Sequence, residues 1–166
     1  MSAIAISRNS ASAWRAPQPG VSEAAQKIQD VMRLVVASFV SSATGQRRLG
    51  DPLSALETLY EECSRVNWDG EGAGAITPDT YEEAQNLLLL LPTTVPVPEF
   101  LPERSGRIAF EWYKRPNCVY VLSTGGNKEL EFAGLFGPGI EIHGKCPFSD
   151  AFPSMILDHL RDLQRR

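Results

Sequence analysis

The chain lacks any long apolar run. Runs such as Leu34-Val35-Val36-Ala37 and the Leu87–Leu91 block reach only four and five residues, whereas a bilayer span needs roughly twenty consecutive apolar residues. A membrane association is therefore not expected. Cysteine is sparse: Cys63, Cys118 and Cys146 are odd in number, widely spaced and without a C-x-x-C pair. That pattern excludes a disulfide framework and a zinc knuckle, and it predicts reduced thiols in a cytoplasmic protein. Histidine is scarcer, with only His143 and His159, and no Ser- or Cys-His-acid arrangement is visible. A basic excess is also missing: 16 Lys and Arg stand against 20 Asp and Glu, a formal net charge of -4. This argues against nucleic acid as a partner, since such binders more often carry a basic face.

What is present is enough chain, at 166 residues, for one domain with a real core, and the composition of an ordinary globular protein. Residues 1–20 are rich in Ser and Ala, carry Arg8 and Arg15 without an acid, and end at Pro17-Gln18-Pro19-Gly20. They read as a flexible N-terminal arm, lacking the apolar stretch of a secretory signal. Residues 21–166 read as a single α+β domain.

Three helical patterns come first. Ser22 offers an N-cap, and Ala24, Ile28, Val31, Met32, Val35 and Phe39 recur at helical spacing to about Thr44. With Val36 and Val40 the stripe becomes wider than a single packing face requires. Val31, Val35, Val36, Phe39 and Val40 are therefore the expected binding surface, for an unidentified protein or for self-association. Asp51-Pro52 starts a second helix with the favoured early proline, and Leu53, Leu56, Leu59, Tyr60 and Cys63 line its buried side. Thr77-Pro78-Asp79 repeats the start signal for a third helix, which Pro92 stops. Pro96, Pro98 and Pro102 then predict an extended, polyproline-like crossing.

The period then changes from 3.6 to 2. Ile108, Phe110 and Trp112 alternate with polar or small residues, Val119 and Val121 follow, then Leu130 and Phe132, then Ile140 and Ile142. Arg115-Pro116-Asn117, Thr124-Gly125-Gly126-Asn127 and Gly137-Pro138-Gly139 supply the turns. The pattern predicts a four-stranded antiparallel meander with those residues on its apolar face. A last helix near Asp150–Gln164, burying Ile156, Leu160 and Leu163 and leaving His159 in solvent, closes it.

Between the second and third helices lies Asn67-Trp68-Asp69-Gly70-Glu71-Gly72-Ala73-Gly74-Ala75. A phosphate cradle is one reading of its alternate glycines, but Asp69 and Glu71 repel an anion and no Lys-Ser/Thr follows. A calcium loop is another, with Asp69 and Glu71 at positions one and three. Ala73 then falls at position five and Thr80 at twelve, where the bidentate acid belongs. The favoured reading is structural: Trp68 plugs the core, Asp69 accepts backbone N–H groups, and Gly70, Gly72 and Gly74 permit tight turns and close passage. The outward sheet face offers Glu111, Glu129, Glu131, Glu141 and His143. Glu141 and His143, two apart on one strand, suit a metal or acid–base pair.

The Asn67–Ala73 loop, the Thr-Pro-led helix ending in Leu-Pro, and Gly106-Arg107-Ile108-x-Phe110-Glu111-Trp112 together resemble a recurring pattern in small uncharacterised bacterial proteins. The resemblance runs from the middle of the chain through the sheet and implies no activity. Glu71 stands where that pattern often has an aromatic residue. Two function classes follow. The leading one is a non-enzymatic protein–protein interaction factor of inhibitor, immunity or adaptor type, bacterial or mobile-element in origin, with no catalytic residue, metal or cofactor. The other is a small metal-dependent hydrolase using Asp69 and Glu71 with Glu141 or His143.

Overall fold

The computed structural model describes residues 50–166, which all belong to one compact unit. The arm at 1–20 and the stripe of Val31, Val35, Val36, Phe39 and Val40 lie outside the described residues. The chain builds helices α1 (Asp51–Cys63) and α2 (Pro78–Leu89), strands β1 (Glu99–Pro102), β2 (Ile108–Arg115), β3 (Cys118–Thr124), β4 (Glu129–Phe136) and β5 (Glu141–Pro147), and helix α3 (Ser154–Arg165). The class is α+β, and the strands form one antiparallel sheet in the order β1-β2-β3-β4-β5.

Both early helices start as their sequences dictate. Pro52 occupies the first turn of α1, where a missing N–H costs nothing, and Asp51 places an acid at the positive end of the helix. Thr77 caps α2, its hydroxyl accepting the Thr80 N–H at 3.2 Å. Leu56 and Cys63 of α1 join Ala84, Leu87 and Leu88 of α2 in the core. From α3, Ile156, Leu160 and Leu163 enter the same core.

The sheet departs from expectation at three places. It has five strands rather than four, because Glu99–Pro102 pairs with β2 in the register Phe100↔Phe110. The prolines do not prevent this. Glu103 N–H donates to the Arg107 carbonyl at 2.9 Å, so the odd-numbered residues 99, 101 and 103 turn their main-chain groups toward β2. Pro98 and Pro102 therefore face the open edge, where a proline removes no ladder bond.

Second, β3 shows its other face to the core. Trp112 lies opposite Tyr120 and Phe110 opposite Leu122, so Cys118, Tyr120 and Leu122 are buried while Val119 and Val121 point outward and are half-buried. Both parities of Cys118–Leu122 are apolar, and a register irregularity at Tyr113–Arg115 shifts the count across the turn. Third, Ile140 belongs to the β4–β5 turn and is exposed, its N–H bonded to the Gly137 carbonyl at 3.2 Å. Phe132 and Ile142 pack against the core as half-buried neighbours.

Candidate functional site

The Asn67–Ala75 loop is held by hydrogen bonds from its side chains and main chain. Asn67 adopts φ 64°, a left-handed conformation that asparagine tolerates better than most side chains. Its Oδ1 accepts the Gly72 N–H at 2.6 Å, and its own N–H reaches the Ala73 carbonyl at 2.7 Å. Asp69 Oδ1 accepts the N–H groups of Glu71 at 2.8 Å and Ala73 at 3.1 Å. Those two backbone donors, with Arg104 beside them, hold the Asp69 carboxyl below the usual carboxylate range.

The glycines divide their work. Gly70 and Gly72 have φ of 76° and 92° with open space around them, so they serve the turn itself. Gly74 serves contact: its N–H donates to the Arg104 carbonyl at 2.8 Å. Opposite it, a Cβ on Gly106 would lie 2.6 Å from the Ala75 carbonyl oxygen. Trp68, half-buried against the core, donates Nε1–H to the Gly74 carbonyl at 3.0 Å.

Arg104, in the β1–β2 turn, completes the arrangement. Its Nε donates to Asp69 Oδ2 at 3.0 Å, and its NH2 group donates to the Glu71 carbonyl at 2.8 Å and Glu71 Oε2 at 2.9 Å. Sequence reasoning missed this residue. Its partners lie more than thirty positions earlier, and no local pattern couples them.

Glu111, Glu129, Glu131, Glu141 and His143 do share the outward sheet face, as the strand registers place them. They do not form one cluster. Lys145 bridges Glu129 at 3.0 Å and Glu131 at 2.8 Å, and Arg107 reaches Glu131 at 2.8 Å. The hydrogen bond from Lys145 leads the effects that lower the Glu131 pKa. Glu141 and His143 lie on β5, the opposite edge from β1. Four inter-strand spacings of about 4.8 Å put that edge roughly 19 Å from β1. The loop acids are tied to the β1–β2 turn, so the two acidic sets stay apart.

Two further groups escaped sequence reasoning. Glu83 of α2 is buried, and its carboxylate accepts the Thr124 hydroxyl and the Lys128 N–H, the latter at 2.7 Å. It ties α2 to the β3–β4 hairpin. His159 is not in open solvent: its ring packs against Tyr120, Phe132 and Phe136, and Nδ1 lies 3.1 Å from the Tyr120 hydroxyl. Burial lowers the His159 pKa, partly opposed by Asp158 and Asp162. Burial likewise raises the Cys63 and Cys146 thiols, so neither is poised as a thiolate nucleophile.

Among the described residues no three His, Cys, Asp or Glu side chains converge to hold a metal. None of the described helices is long and apolar enough to cross a membrane. A groove of about 670 Å³ lies between α1 and β1, lined by Pro52, Leu59, Val97 and Phe100 among others. No family model, curated protein or solved structure matches the chain.

Proposed function

We propose that the protein is a non-enzymatic interaction factor of inhibitor, immunity or adaptor type, bacterial or mobile-element in origin, acting by binding another protein. The observation that carries this reading is the occupation of the loop carboxylates. Asp69 Oδ1 accepts two backbone donors of its own loop, Asp69 Oδ2 accepts from Arg104, and Arg104 also holds Glu71 Oε2. A metal or a water nucleophile would have to displace those ties. The alternative hydrolase needs Asp69 and Glu71 to meet Glu141 or His143, and the width of the sheet stands between them. An apolar groove beside an open strand edge supports binding instead. The bacterial origin rests on the resemblance of the loop and the Gly106–Trp112 strand alone. The stripe of Val31, Val35, Val36, Phe39 and Val40 remains a second proposed contact surface.

Affinity capture with the full tagged chain, followed by mass spectrometry, should return one reproducible partner. That partner should be retained by an Asp69→Asn, Glu71→Gln variant. A metal-stimulated hydrolytic activity abolished by the same variant would replace this reading with the enzymatic one.

A further inference from the structure

We propose that the groove between α1 and β1 receives an extended, basic segment of the partner protein, which adds to the open edge of β1 as a further strand. This rests on the interaction reading above and assigns its site. β1 ends the strand order, so among the described residues one of its edges has no strand beside it. Because residues 99, 101 and 103 address β2, the main-chain groups of Pro98, Phe100 and Pro102, residues that line the groove, point away from β2 to the open edge. Prolines have no N–H. The edge therefore displays three carbonyls and one donor, the Phe100 N–H. An incoming strand satisfies it by giving N–H groups at alternate residues and accepting once, at Phe100.

Side chains complete the match. Pro52, Ala55 and Leu59 from one face of α1 and Val97, Phe100 and Pro102 from the β1 segment form an apolar floor for every second residue of the guest. Among the described residues, the charged groups lining the groove are Asp51, Glu62 and Glu99, with no Lys, Arg or His beside them. The guest's remaining side chains are accordingly Lys or Arg, which bring both charge complementarity and extra donors to a surface short of them. A second copy of this chain is a poor guest through the same edge. It brings the same surplus of carbonyls and the same three acids, which repel.

Selection of random displayed peptides against the immobilised full chain tests this directly. Enriched peptides should alternate apolar residues with Lys or Arg and should slow exchange of the Phe100 amide proton on binding. Their affinity should fall by roughly tenfold or more when the groove is filled by Ala55→Trp, a change at an exposed helix position, or when Glu62→Lys and Glu99→Lys reverse its charge. Circular dichroism and urea midpoints of both variants control for folding, and the charge reversal stands if the tryptophan perturbs α1. The proposal is overturned if no peptide is enriched, if enriched peptides lack basic residues, or if they bind both variants as well as wild type. Light scattering that shows a dimer broken by Ala55→Trp would overturn it in favour of a second copy. If the captured partner still binds both variants, the groove assignment fails while the interaction reading survives.

Discussion

Asp69 acts within its own loop: it neutralises two backbone donors of a tight turn and anchors Arg104 from the neighbouring hairpin. Its folded pKa is depressed, so its contribution to stability is complete above the unfolded value of about 3.9 and is lost as pH falls through the folded value. Acid titration monitored by fluorescence should therefore show wild type losing stability below about pH 4 more steeply than Asp69→Asn. At neutral pH the asparagine variant should melt nearer to wild type than Asp69→Ala, because an amide oxygen still accepts a turn hydrogen bond. Trp68 is the loop's apolar counterpart. Its truncation to Ala should cost about 3 kcal/mol, the low end for a tryptophan because the ring is only half-buried. Trp68→Phe, which keeps most of the packing and loses the bond to the Gly74 carbonyl, should cost about 1 kcal/mol in urea melts. Equal midpoints for all these variants would show that the loop does not clasp the fold.

At the scale of elements, the β3–β4 hairpin and α2 are joined through one buried carboxylate. Glu83 takes the Thr124 hydroxyl and the Lys128 N–H, and Gly126 passes so close that a Cβ there would lie 2.6 Å from the Thr80 nitrogen. Glu83→Ala leaves a buried hydroxyl and an N–H without their acceptor, and it should destabilise by about 2–3 kcal/mol. Hydrogen exchange should then rise at the hairpin turn before it rises in β2. A second joint connects α3 to the sheet through His159. Its pKa is lowered by burial among Tyr120, Phe132 and Phe136, opposed in part by Asp158 and Asp162 on its own helix. The unfolded chain thus binds the proton more readily. The contribution is full above the unfolded value of about 6.5 and declines as pH falls through that value toward the folded one. Urea midpoints compared at pH 7.5 and about pH 5 should drop for wild type and drop less for His159→Phe. No difference between the two proteins would remove His159 from the pH response.

At the scale of the whole molecule, the α+β class, the starts of α1 and α2, the core face of α3 and the four strands β2–β5 were legible in the sequence. Each is written in a short window: Asp51-Pro52 and Thr77-Pro78 begin helices, Ile156, Leu160 and Leu163 repeat at helical spacing, and Ile108, Phe110 and Trp112 alternate. The loop's internal turn was legible too, since Asp69 and its donors lie within a few residues of one another. What the tertiary structure alone decided is which distant groups meet. Cys118–Leu122 is apolar on both faces, so only pairing with β2 could choose Tyr120 and Leu122 over Val119 and Val121 for the core. Proline at 98 and 102 argues against a strand until β2 lies on the other side, where the missing N–H groups are not needed. Arg104 closes onto Asp69, Glu83 onto Thr124 and His159 onto Tyr120 across 35, 41 and 39 residues of chain. Local periodicity reports which face of an element is apolar. It carries no information about the partner that face will find, because that choice is made by the register and packing of segments that meet only when the chain has folded.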